Sequence, residues 1–100
     1  MPTSPSRAVV IDVDATAGAL VVTTTERHVG EELEISPIAE PSQRSHVWVL
    51  PREGRQGLVY AAVFARLPVD DYVILTQDGS TQQTVSIRAN EVTFASWGAD

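Results

Sequence analysis

The chain contains no cysteine and no lysine. The first absence excludes disulfides, thiolate metal sites and cysteine nucleophiles together, and gives no sign of an oxidising compartment. The second excludes Schiff-base and lysine-activated mechanisms. Long apolar runs are missing too. No stretch approaches the ~20 residues that span a bilayer, and the opening MPTSPSR has no apolar signal-peptide segment. A cytoplasmic protein is the expectation. Positive charge is scarce and dispersed: the seven cations, Arg7, Arg27, Arg44, Arg52, Arg55, Arg66 and Arg88, face thirteen acidic residues, for a net charge of −6. A phosphate backbone or an anionic membrane would meet repulsion, so neither is an expected partner.

What is present describes one folded unit. Hydrophobic residues make up 43% and charged residues 20% of the 100 positions, inside the globular range and enough for a single core. Residues 1–7, with two prolines and two serines, read as a disordered N-terminal tail, and residues 8–98 as one domain. No long window carries a period of 3.6. Short β-branched and aromatic runs alternate with turn clusters instead, so the chain is expected to be all-β.

Eight strand candidates follow. AVVIDV (8–13) and ALVVTTT (19–25) read as a hairpin. ELEIS (32–36) alternates Leu33 and Ile35 against Glu32, Glu34 and Ser36, the mark of a half-buried strand. PIAEPSQR (37–44) is a loop, because its prolines cannot donate to a ladder. SHVWVL (45–50), the turn PREGRQG, LVYAAVFA (58–65), YVILTQ (72–77), a turn at Asp78-Gly79, QQTVSIR (82–88), the turn ANE and VTFASW (92–97) complete the series. The run 58–65 is the most apolar and is expected to be covered on both faces. Seven or eight such strands predict an antiparallel β-sandwich.

Between residues 58 and 75 the pattern is strongest. Pro68 withdraws a donor, Asp70 and Asp71 offer carboxylates to local backbone, and Leu67 is apolar in a turn, so it is expected to plug the open end of the core. Tyr72 is expected to bury its ring and send its hydroxyl to a backbone partner across the turn. Phe64-x-x-Leu67-Pro68-x-x-x-Tyr72, followed by the strands that hold Val85 and Ile87 and then Phe94, resembles the C-terminal half of prealbumin-like sandwiches. These are the Cna-B, carboxypeptidase regulatory-like and transthyretin-like domains. Their usual pattern is F-x-x-L-P-x-G-x-Y. Asp70 stands where their glycine stands, and the resemblance implies a left-handed conformation for it. It covers about residues 58–97 and speaks to fold. The isopeptide bond common in Cna-B domains needs a lysine, and the Tyr-Arg-Gly-Ser tail of transthyretin-like hydrolases is replaced here by Phe94-Ala95-Ser96-Trp97-Gly98-Ala99-Asp100. The whole chain also resembles small actinobacterial proteins, some of which carry a phospholipase label.

Candidate sites are few. His46 shares a strand face with Trp48 and Leu50 and is a candidate general base or ligand. A strand-edge histidine with a single hydrogen bond is the plainer reading, and His28, in the polar turn Glu26-Arg27-His28, has no visible partner. No G-x-S-x-G elbow accompanies Ser45-His46. Asp12 with Asp14, and Glu31, Glu32 and Glu34, are candidate Ca²⁺ ligands without calcium-loop spacing, and solvated strand faces commonly carry such charges. No cofactor or metal is expected. Trp48 and Trp97 are candidates for a contact surface, weighed against the reading that both fill core gaps. The expected function is a non-catalytic binding or protein-interaction module that uses a sheet edge or the Trp48 face, for a protein partner or a homodimer. The alternative is a small esterase-like or phospholipase-like hydrolase using His46.

Overall fold

The computed structural model describes residues 11–54, 57–75 and 82–97. The expected tail (1–7), the start of the first strand candidate (8–10) and the Asp78-Gly79 turn lie outside the described residues. Among the described residues eight strands form where β-branched and apolar residues concentrate: β1 (Ala17–Thr24), β2 (Glu32–Pro37), β3 (Ser45–Trp48), β4 (Leu50–Gly54), β5 (Gly57–Pro68), β6 (Asp70–Leu75), β7 (Gln82–Ile87) and β8 (Val92–Ser96), with one 3₁₀ turn at Glu26–His28. They build two four-stranded sheets, in the orders β4-β5-β1-β8 and β3-β2-β6-β7. Every pairing is antiparallel except β1 with β8, which is parallel. Among the described residues no helix is long and apolar enough to cross a membrane.

The inner faces of the two sheets share one core. Leu20 and Val22 of β1 with Ala62, Phe64 and Leu67 of β5 meet Leu33 and Ile35 of β2, Tyr72 and Ile74 of β6, and Ile87 of β7. Fully burying one such aliphatic side chain is favourable by roughly 1.5–3 kcal/mol, which is why alternation along the strands decides the fold.

Several expectations need correction. Residues 11–13, the described part of the strand expected over 8–13, carry no strand and do not pair with β1, and Asp14 and Ala17 close a tight turn with reciprocal backbone bonds of 3.1 and 3.2 Å. The reason is competition, because both edges of β1 are taken by β5 and β8. The single run 45–50 is divided. Val49, fully buried, passes the chain from β3 in one sheet to β4 in the other, the strand-switching bend that joins packed sheets at a corner. Pro51, expected in a turn, lies in β4, an edge strand where its missing N–H is tolerated. Eight strands are therefore reached by a different division of the chain from the one the sequence suggests.

Strand β5 runs to Pro68 rather than stopping at 65, and it is not covered on both faces, since Val59 is 42% exposed and Leu58 59%. Its register explains Leu67. Gly18 pairs with Leu67 and Leu20 with Phe64, so Ala65 and Arg66 together oppose Ala19 alone. This extra residue is a β-bulge, and it reverses the parity of the strand. Phe64 and Leu67, three apart, consequently both enter the core. Asp70 is not left-handed. Asn90 (φ 63°) is the one non-glycine with positive φ among the described residues, and Asp70 instead starts β6 in extended backbone.

Candidate functional site

Alternation along β3 sorts its residues. Val47 packs against the core and Val49 is fully buried, so His46 and Trp48 turn to the outer face of the β3-β2-β6-β7 sheet, with Trp48 55% exposed. In register, Trp48 sits opposite Glu32 and His46 opposite Glu34. The charged groups pair diagonally: His46 Nδ1 contacts Glu32 Oε2, and Arg44 Nη1 donates to Glu34 Oε1 at 3.1 Å. Arg44 Nε also donates to the Pro41 carbonyl at 3.3 Å, which anchors the guanidinium to the loop before β3. The outer face of β3 thus carries an indole at one end, then a histidine–carboxylate pair and then an arginine–carboxylate pair. Aromatic and arginine side chains are the types enriched in protein contact patches.

Ser45 and His46 lie on successive positions of β3 and project to opposite faces. They do not form a nucleophile–base unit. His46 has the carboxylate half of a catalytic triad, in Glu32, without a hydroxyl on its other nitrogen among the described contacts.

Trp97, a candidate for the same surface, is not part of it. The structure buries it to 6% exposure, while Phe94 is 71% exposed. Parity on β8 is the cause: Ala95 packs toward the core and Trp97 follows it inward, so Phe94 must face out. The signal that assigns it correctly is Val92-Thr93-Phe94, whose alternation resolves only once the partner strand is known. His28 is likewise closer to the core than its polar turn suggests. Its ring lies 4.4 Å from the Trp97 ring, and its Nδ1 is 2.9 Å from Glu31 Oε1.

The acidic residues considered as Ca²⁺ ligands each have another partner. Glu31 faces His28, Glu32 faces His46 and Glu34 faces Arg44. Arg66, turned outward by the bulge, reaches Asp14 Oδ2 at 2.9 Å and Asp12 Oδ2 at 3.7 Å. The Thr16 backbone N–H, bound to Asp14 Oδ1 at 2.8 Å, is the largest cause holding the Asp14 carboxyl down to about 2, with Arg66 and the Thr16 hydroxyl adding to it. Among the described residues no group of three or more His, Cys, Asp or Glu side chains is placed to hold a metal ion.

The corner residues Phe64, Leu67 and Tyr72 come together in the core, and the Tyr72 hydroxyl donates to the Pro68 carbonyl at 2.7 Å. Burial, and then the nearby charge of Asp70, pushes the Tyr72 phenol up from its ordinary value. Comparison of the chain with family models, curated proteins and solved structures finds no match.

Proposed function

We propose that the chain is a β-sandwich of the prealbumin-like kind that works as a non-catalytic protein-interaction module, with the Trp48 face as its contact surface. The observation that carries this reading is the 55% exposure of Trp48 on a strand whose neighbours Val47 and Val49 turn into the core. A tryptophan side chain offers a large area with only two rotatable bonds to fix on binding, so burying it yields more net affinity than a longer, more flexible side chain would. The Glu32–His46 and Glu34–Arg44 pairs form a polar border along one side of the indole. The matching surface is an apolar pocket on a partner protein, edged by groups that hydrogen-bond carboxylates. Partner proteins captured on the wild-type chain and then purified should bind it at least tenfold more tightly than they bind Trp48→Ala. Equal affinity for both forms would defeat the proposal.

A second reading draws on the His46–Glu32 contact, the base-and-orienter half of a hydrolytic triad. A small esterase would then use His46 on an incoming water or alcohol. Turnover of p-nitrophenyl esters above buffer background, abolished by His46→Ala, would favour it over the interaction module.

A further inference from the structure

The turn that leads into β2 decides what stands beside Trp48. Val29 (φ −60°, ψ 133°) and Gly30 (φ 89°) are the central residues of a type II turn, closed by the Glu31 N–H on the His28 carbonyl at 3.0 Å. Gly30 N–H then donates to the Val49 carbonyl and Val49 N–H to the Glu31 carbonyl, both at 2.9 Å. Gly30 and Glu31 together therefore oppose Val49 in a β-bulge of the kind that needs glycine at its first position. The bulge sets the phase of the ladder. With Val49 and Glu31 hydrogen-bonded, their neighbours Trp48 and Glu32 form a non-hydrogen-bonded pair, the arrangement that brings Cα atoms to about 4.5 Å and side chains closest together. An indole and a carboxylate thus share one spot on the outer face of the sheet.

That carboxylate keeps an oxygen to offer. His46 Nδ1 contacts Glu32 Oε2, and among the described residues no hydrogen bond reaches Glu32 Oε1. An uncharged imidazole that donates from Nδ1 orients the carboxylate without cancelling its charge. The cation nearest along the strand, Arg44, is engaged by Glu34, and among the described residues no cation lies over the Trp48 indole. The face as a whole is acidic. Inward Tyr72 and Ile74 turn Asp71 outward on β6, so Glu32, Glu34 and Asp71 share this side of the sheet with the single guanidinium of Arg44.

We propose that the Trp48 face takes an arginine side chain of a partner protein, its guanidinium stacked on the indole and its in-plane N–H groups directed to Glu32 Oε1. This names the partner chemistry of the interaction surface and rests on that reading. The face of an indole attracts a cation more strongly than that of any other aromatic side chain. A guanidinium fits better than an ammonium, because its flat π-system stacks while its edge still presents donors in the geometry a carboxylate accepts. Charge selects the same occupant. The acidic face, on a chain of net charge −6, draws a cationic segment and repels an acidic one, a second copy of this chain included. The arginine stands at the edge of the apolar pocket that receives the indole, where its charge is met by Glu32 rather than left unpaired. His46 is the positioning residue, since it fixes which carboxylate oxygen faces the ligand.

The capped peptide Ala-Arg-Ala isolates this contact, and proton–nitrogen NMR of the full chain reads it at the Trp48 indole N–H. One stacked cation and one charge-assisted hydrogen bond correspond to a dissociation constant on the order of 1 mM. The Trp48 indole resonance should shift saturably. Citrulline in place of arginine, which keeps the shape and removes the charge, should weaken binding by about fivefold or more, and Glu32→Gln should do the same to the arginine peptide. Glu53→Gln removes an equal charge from an exposed position on β4, in the other sheet, and should change the affinity by less than about twofold. Circular dichroism unchanged in both variants confirms that the fold is intact. A Trp48 indole that does not shift at ten times the expected dissociation constant overturns the proposal. So does a citrulline peptide that binds as well as arginine, or a Glu53→Gln chain that loses as much affinity as Glu32→Gln. Captured partner proteins separate this proposal from the reading beneath it: those that bind Trp48→Ala poorly should bind Glu32→Gln poorly too. Partners weakened by Trp48→Ala and indifferent to Glu32→Gln would leave the Trp48 face standing and overturn the arginine alone.

Discussion

Tyr72 buries its ring at 4% exposure and donates its hydroxyl to the carbonyl of Pro68, four residues earlier, at 2.7 Å. The bond closes the corner between β5 and β6 and joins the two sheets through a single side chain. Pro68 ends the β5 ladder, so its carbonyl is available for the phenol. Leu67, turned inward by the bulge just before it, packs into the same core as the Tyr72 ring.

Removing that hydroxyl tests the corner directly. Tyr72→Phe keeps the ring and loses one neutral hydrogen bond, for a cost of about 1 kcal/mol, or a fall in Tm of roughly 4–8 °C in a domain of this size. The effect also depends on pH. The folded protein holds the Tyr72 proton more tightly than the unfolded chain does, because burial raises its pKa. This contribution is complete below ~10, where an unfolded tyrosine titrates, and is lost as pH rises through the raised folded value. Denaturant midpoints of the wild type should therefore drop on the alkaline side of ~10, and those of Tyr72→Phe should drop less.

The pieces of the fold that could be read from residues are those governed by local alternation. Leu33 and Ile35 against Glu32 and Glu34 place β2 correctly, and Phe64, Leu67 and Tyr72 mark the corner because each is apolar or aromatic beside residues that end strands. What could not be read depends on long-range pairing. Nothing in AVVIDV says that β1 will have both edges filled by β5 and by the parallel β8, and nothing in SHVWVL says that Val49 changes sheets. Both runs have the composition of strands, and only competition for partners decides them. At the candidate site the same division holds. Parity turns Trp48 outward only once Val47 and Val49 are known to be core, and the facing of Trp97 and Phe94, open in the sequence, is set by the pairing of β8 with β1.

Asp14 gives a prediction on the acid side. Its folded pKa is lowered to about 2 by the Thr16 backbone N–H first and Arg66 second. A depressed carboxylate contributes stability that is present above the unfolded value of ~3.9 and is lost as pH falls through the folded value. Carbon-detected NMR should find the Asp14 carboxyl midpoint near this low value. In Arg66→Ala it should move up but stay below ~3.9, because the backbone donor remains. Asp14→Asn should flatten the loss of stability over that interval.

Gly18 is fixed by crowding rather than by dihedral angle. A Cβ there would lie 2.2 Å from the Arg88 carbonyl oxygen and 3.0 Å from that of Glu91, two backbone atoms of the turn that leads into β8. Side chains can move aside, but this turn is held by Asn90 N–H on the Asp14 and Ala17 carbonyls at 2.9 and 3.1 Å. Gly18→Ala should therefore cost about 2–3 kcal/mol by overpacking, read as a lower urea midpoint. An unchanged midpoint would mean that the 88–91 turn yields freely.

The two tryptophans should separate cleanly in stability and in fluorescence. Trp97 is buried at 6% exposure with the His28 ring 4.4 Å away, so Trp97→Ala leaves a large void and should cost roughly 3–5 kcal/mol. Trp48→Ala removes an outward ring at 55% exposure and should change stability by no more than about 0.5 kcal/mol. With Trp48→Phe, the remaining emission comes from Trp97 and should be blue-shifted and resistant to iodide. With Trp97→Phe, it comes from Trp48 and should be red-shifted and quenched. The contrast follows from parity on two strands: Trp48 is flanked by inward Val47 and Val49, and Trp97 follows inward Ala95 two places on. If Trp97 emission were red-shifted and quenchable, β8 would face the other way. Phe94 would then belong to the core.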